Sequence, residues 1–67
     1  MTRYYILQEC NSGHRAYLAP MAYTERGFDS RHKARHYLDR HGWRFSSRIV
    51  RDDRVRAVCD RFEEAHN

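Results

Sequence analysis

The residues with the widest chemical repertoire in this chain are two cysteines and five histidines, and their spacing limits what they can do. Cys10 and His14 flank the turn-forming run Asn11-Ser12-Gly13. A hairpin closed there can set the thiol opposite the imidazole, and a Cys–His pair is the minimal activated nucleophile. His32 and His36 stand one helical turn apart, a spacing used for zinc. Together the four side chains would offer one sulfur and three nitrogens. Zinc sites normally bring their ligands in closer Cys/His clusters, and the same residues read equally well as hairpin ends and solvated positions on a charged helix. The expectation is no metal, no cofactor and no catalytic thiol. His41, near the end of the same helix, suits a capping role, because a protonated imidazole complements the helix dipole there.

Tyr37, Trp43 and Phe45 could stack on bases, but at their spacing they fit core positions better. The chain carries no Ser-His-Asp arrangement, paired-carboxylate motif or Gly-rich phosphate loop. An enzyme is not expected. Cys10 and Cys59 are too few for a disulfide framework and form no C-x-x-C pair, so both are read as reduced thiols.

Charge is the stronger signal. The formal net charge is +4, and twelve of the thirteen basic residues are Arg, the side chain suited to bidentate bonds with carboxylate or phosphate. The excess lies in the middle: Arg26, Arg31, Lys33, Arg35, Arg40, Arg44 and Arg48 face only Asp29 and Asp39. A segment of this kind attracts an acidic protein patch or a phosphate backbone. It also fits a solvated face, partly neutralised by Arg35 and Asp39 at i, i+4.

The elements that must position these groups follow from period. With 67 residues, 40% of them apolar and 13% aromatic, the chain is long enough for one domain, 1–67, with one small core. Tyr4-Tyr5-Ile6-Leu7 is apolar on both faces, which suits a central strand, 3–10. Asn11-Ser12-Gly13 turns it into a returning arm, 14–19, ended by Pro20. The stretch 20–28 has no clean period and is read as a loop with Tyr23 and Phe28 tucked under the core. Ser30 caps a helix running to His41, closed by Gly42, with Ala34, Tyr37, Leu38 and His41 facing inward.

From Trp43 to Val50 the pattern has period 2: Trp43, Phe45, Ser47 and Ile49 form a bulky face, and Arg44, Ser46, Arg48 and Val50 a basic, hydroxylated one. Asp52 or Asp53 caps a second helix facing inward through Val55, Val58, Cys59 and Phe62. The order β-β-α-β-α predicts a small α+β domain: a three-stranded antiparallel sheet, the first strand central, packed with two helices. Both helices are expected on one sheet face, in two layers; the double-sided run Tyr4 to Leu7 favours the alternative of one helix per face. Trp43, Phe45, Leu7, Leu38 and Phe62 are expected to share one core.

Tyr4-Tyr5-Ile6-Leu7, the Gly turn, Ala16-Tyr17-Leu18-Ala19, and Phe28-Asp29-Ser30 followed by Ala34, Tyr37 and Leu38 together resemble a set of short phage and prophage accessory proteins. These combine a Y-Y-hydrophobic strand, a g-x-Y-L return strand and an F-x-S-x-x-x-A-x-x-x-L helix. The resemblance spans roughly residues 3–43. The chain departs from it at Lys33, where such proteins often place Glu to complete a capping box, and in the basic character of its helix face, commonly acidic in them. The resemblance implies a phage-like or mobile-element accessory protein, a class that includes inhibitors acting on host or defence complexes by occupying a surface. It carries over no functional residue.

The resulting expectation is a small non-enzymatic binding module, cytoplasmic because the chain shows neither a membrane-length apolar run nor a signal-peptide pattern. Its partner is an acidic protein surface held by Arg35, Arg40, Arg44 and Arg48. Nucleic acid, held along the phosphate backbone by the 26–48 surface, is the alternative.

Overall fold

The computed structural model describes residues 2–41 and 46–67. Three strands, Tyr4–Ser12 (β1), Arg15–Pro20 (β2) and Ser47–Arg51 (β3), and two helices, Arg31–His41 (α1) and Val55–His66 (α2), follow one another in the order β-β-α-β-α. The sheet order is β2-β1-β3, antiparallel throughout, so the first strand is indeed central. Among the described residues no helix is long and apolar enough to cross a membrane.

β1 runs two residues further than expected because the hairpin turn is only two residues long. Ser12 pairs with Arg15, and Gly13 at φ 62° supplies the positive φ that a type II′ hairpin needs at its first central position. Pro20 closes β2, and one further ladder bond, Met21 N–H to the Ile6 carbonyl at 2.8 Å, completes the pairing.

α1 starts where Ser30 places it: the Ser30 hydroxyl accepts from the Lys33 N–H at 3.1 Å, satisfying one of the donors that a helix start leaves open. Ala34 and Leu38 are buried and Tyr37 half-buried, but His41 is exposed, its ring stacked on Tyr37 with centroids 4.1 Å apart. The expected closure at Gly42 lies outside the described residues, as do Trp43, Arg44 and Phe45.

α2 is not capped by Asp52 or Asp53. A single 3-10 turn, Asp52–Arg54, leads into it and no side chain caps it. Both carboxylates have other partners: Asp53 binds the Arg51 guanidinium at 2.7 and 2.8 Å, and Asp52 accepts from the Arg3 N–H at 3.3 Å. The apolar stripe of α2 is as expected, with Phe62 buried and Val55, Val58 and Cys59 packed around it.

The two helices lie on opposite faces of the sheet, not on one. Successive strand residues point to opposite faces, and in β1 both Ile6 (0% exposed) and Leu7 (1%) are buried, so each face needs a cover. On the Ile6 face, Met21, Ala34 and Leu38 close the core with Tyr4, Phe28, Tyr37 and Ile49 around it. On the Leu7 face, Leu18, Val50 and Phe62 do so. Leu7 and Phe62 therefore share a core that excludes Leu38, and the single core expected from the sequence is two.

The loop between β2 and α1 divides the expected pair of aromatics. Phe28 tucks in, exchanging both backbone bonds with Tyr4 at 2.8 Å and packing against Tyr37. Tyr23 does the opposite and stands 93% exposed. The residue held underneath is Thr24, buried, with its hydroxyl donating to the Met21 carbonyl at 2.6 Å.

Candidate binding surfaces

Helix α1 presents His32, Lys33, Arg35, His36 and Arg40 to solvent because its inward stripe takes Ala34, Tyr37 and Leu38. Lys33 is tied to Asp29 at 3.0 Å, and that hydrogen bond and charge hold the Asp29 carboxyl below the ordinary carboxylate range. The Arg31 guanidinium lies over the Tyr4 ring, 5.3 Å from its centroid. Arg35 and Arg40 are exposed on this face, as the sequence suggests.

Arg48 is elsewhere. It stands opposite Leu7 in the β1–β3 register, and directly opposed residues of an antiparallel pair share a face, so Arg48 lies on the α2 side of the sheet. There it pairs with Glu9 at 2.9 Å and covers the Phe62 ring at 5.3 Å. Val50, two residues on, is buried on the same face, so the face read as basic is the wall of the second core. The sheet itself separates Arg48 from Arg35 and Arg40. Arg44, the fourth of the set, lies outside the described residues.

The thiol and imidazole candidates are placed apart. Cys10 pairs in register with Tyr17, not with His14, which sits in the turn. The Cys10 thiol instead donates to the Gln8 carbonyl at 3.6 Å. His32 and His36 are both exposed on α1. Among the described residues no group of three or more His, Cys, Asp or Glu side chains is arranged to hold a metal ion.

Two features escaped the sequence reading. One is Tyr23, whose backbone takes φ 67°, a region that L-residues other than Gly enter at a cost of roughly 1–2 kcal/mol. Hydrogen bonds fix the loop around it: Thr24 N–H to the Met21 carbonyl at 3.0 Å and Gly27 N–H to the Thr24 carbonyl at 2.9 Å. The Arg3 guanidinium adds bonds to the carbonyls of Arg26 and Gly27 at 2.7 and 3.0 Å. Tyr23 thereby stands beside the Tyr37–His41 stack, lining one cleft with it. The loop composition, with no period and one Gly, carried no signal for this.

The second is a cleft of about 500 Å³ between β3 and α2, lined by Arg48, Arg54, Arg61 and the small residues Ala57 and Ala65. Its signal was in the sequence: Arg54, Val58, Arg61 and Ala65 recur at helical spacing.

No family model, no curated protein and no solved structure matches this chain.

Proposed function

We propose that this chain is a small non-enzymatic binding module that docks on an acidic protein surface through exposed Arg and aromatic side chains. The observation that carries the reading is Tyr23, 93% exposed and fixed at φ 67° by a hydrogen-bonded loop. Strained backbone persists where the surroundings over-determine it, and it concentrates at binding sites. A Tyr presented on a fixed backbone offers a partner a large contact area at little cost in conformational entropy, since only two side-chain torsions remain to be frozen. With Arg, Tyr is among the residues that dominate interface energetics. Arg35 and Arg40 on α1 supply the charge, and the Tyr37–His41 stack widens the aromatic platform. An inhibitor or accessory role of the kind implied by the resemblance to short phage proteins needs no more than such a surface.

The test is affinity capture from extract with the wild type, a Tyr23→Ala variant and an Arg35→Glu/Arg40→Glu variant, alongside mobility shifts on mixed DNA and RNA. An acidic protein retained by the wild type and lost from both variants is the expected result. Tight binding to DNA or RNA that weakens steeply with salt would instead assign the surface to phosphates, since counterion release makes that dependence unavoidable. Equal capture by all three proteins would leave the positive face merely solvated and end the proposal.

A further inference from the structure

The sheet has two edges, and the molecule treats them differently. In β2 the ladder to β1 uses alternate residues, and Ala16, Leu18 and Pro20 turn their backbone groups outward. This edge is sealed at both ends. The Asn67 side chain accepts from the Ala16 N–H at 3.1 Å and donates to the Ala16 carbonyl at 2.9 Å, imitating a neighbouring strand, and Pro20 has no N–H to offer.

On the other side, Glu9 N–H bonds to the Ser46 carbonyl and Asp52 N–H to the Arg3 carbonyl, both at 2.9 Å. This phase turns the backbone groups of Ser47, Ile49 and Arg51 outward, away from β1. Among the described residues none hydrogen-bonds to the outward backbone groups of Ser47 and Ile49 or to the Arg51 N–H, while the Arg51 carbonyl opens the 3-10 turn Asp52–Arg54. Nor is the edge covered near Arg51: a cleft runs around it from Arg31 at the start of α1 to Val58 in α2, with Ile49 and Arg51 in its lining. An open edge is a template for another strand unless charge or cover prevents it.

The charge around this edge has one sign in excess. Arg31, Arg51 and Arg54 line the cleft at its end and Arg48 and Arg61 the adjoining cleft against α2. Of the nearby acids, Glu9 and Asp53 are ion-paired to Arg48 and Arg51, and Asp52 accepts from the Arg3 backbone N–H, so five guanidinium groups stand against three carboxylates. Arg54 and Arg61 form no ion pair with a described residue.

From the open ladder and the flanking guanidinium groups we infer that β3 takes up an extended, acidic segment of a partner protein as a fourth strand. The backbone bonds of Ser47, Ile49 and Arg51 give affinity, and Arg54 and Arg61 select carboxylates on alternate side chains, the usual division of labour in strand addition. A second copy of this chain is a poor occupant, because pairing β3 with itself would bring the two sets of guanidinium groups together. The site is separate from the α1 face and shares with the function proposed above only the acidic nature of the partner.

The probe is a short labelled peptide alternating Glu and Val, with a Lys–Val peptide as control, followed by fluorescence anisotropy and by amide exchange of the protein. Binding of the Glu–Val peptide should slow exchange at Ser47, Ile49 and Arg51. Arg51 has φ −69° and follows extended backbone, so proline fits there and, beyond the side chain and its Asp53 fork that alanine also lacks, removes only the outward N–H. Arg51→Pro should weaken binding about tenfold, whereas Arg51→Ala, which keeps that N–H, should weaken it only about threefold. Methylating alternate amides of the peptide should abolish binding with the protein unchanged, a readout that does not depend on how the proline variant folds. Arg54→Glu/Arg61→Glu should cost about tenfold or more.

The inference fails if the proline variant binds as well as the alanine variant, if the methylated peptide still binds, or if the Lys–Val peptide binds equally. It fails too if these amides are already protected in a self-associated free protein. Exchange changes confined to Tyr23, Arg35 and Arg40 would refute the strand site while leaving the α1 surface standing.

Discussion

Placing one helix on each face of the sheet makes the two cores energetically separate, and a double-mutant cycle can measure that. Phe62 is 5% exposed against Leu7, Leu18 and Val50, stacks on His66 with ring centroids 4.0 Å apart and lies under the Arg48 guanidinium. Phe62→Leu keeps an apolar group but loses both ring contacts. It should cost about 1–2.5 kcal/mol, from an aromatic stack worth ~0.5–1.5 and a cation–π contact of ~0.5–1 at an exposed Arg. Ile6→Val on the other face removes one buried methylene, at about 0.5–1.5 kcal/mol. A domain of this size holds roughly 3–10 kcal/mol in all, so both variants and their combination remain measurable by urea unfolding. Since the sheet lies between them, the two costs should add to within about 0.5 kcal/mol. Val50→Ala is the internal control, because Val50 and Phe62 share a core, and its coupling to Phe62→Leu should be about 0.5–3 kcal/mol. A coupling between Ile6 and Phe62 as large as that between Val50 and Phe62 would refute the two-core arrangement.

Three further outcomes follow from particular contacts. Asn67→Ala should speed amide exchange at Ala16 and lower stability by about 1–2 kcal/mol through the three lost bonds, two to Ala16 and one to the Glu63 carbonyl; unchanged exchange at Ala16 would show that Asn67 does not seal the β2 edge. A Cβ at Gly27 would stand 2.8 Å from the Tyr5 ring and 3.0 Å from the Tyr4 carbonyl, at φ +75°, whereas one at Gly13 meets nothing within 4 Å. Gly27→Ala should therefore lower the melting midpoint clearly more than Gly13→Ala, which carries the backbone strain of a positive φ without any steric contact; equal shifts would mean that the loop yields freely. Burial, followed by the charges of Glu63 and Asp60, pushes the Cys59 thiol up. In a Cys10→Ser background its alkylation rate should thus keep rising with pH beyond the ordinary thiol pKa of about 8.5, and a plateau at the ordinary value would contradict that environment.

What could be read from the sequence was whatever has a period. The hairpin, the Ser30 cap, the stripe of α1 as far as Leu38 and the stripe of α2 all follow from periods of 2 and 3.6 residues and from a hydroxyl at the right place, whereas His41, placed inward by the same period, is exposed. The sharing of the faces between the helices was not legible in the same way. Tyr4 to Leu7 announces that both faces of β1 are apolar, yet nothing local says which helix covers which, and that choice is made by packing.

Arg48 shows the same limit. Alternation puts it on the face opposite Ile49, correctly, but a charged residue there reads as solvent-facing until the buried Val50 identifies the face as core. The long side chain resolves the conflict by lying over Phe62 with its charge directed at Glu9. Tyr23 had no periodic context at all, and its exposure depends on Thr24 taking the buried position beside it.

The fate of Arg48 also ranks the cations as binding groups. A guanidinium already paired with a carboxylate at 2.9 Å and seated on an aromatic ring must surrender those contacts before it can serve a partner. Its net contribution to docking is then the difference between two similar environments. Arg51, held in a two-bond fork by Asp53, is in the same position as regards its side chain, which is why the strand-addition site draws on its backbone N–H. Arg35 and Arg40 on one side of the sheet, and Arg54 and Arg61 on the other, are exposed and form no ion pair with a described residue. A partner carboxylate reaching them gains the full charge-assisted bond. Reversing Arg48 to Glu would set a second carboxylate against Glu9 beside the Phe62 core, so a loss of binding in that variant would report damage to the fold as readily as loss of a contact. Reversals at Arg35, Arg40, Arg54 and Arg61 separate the two effects.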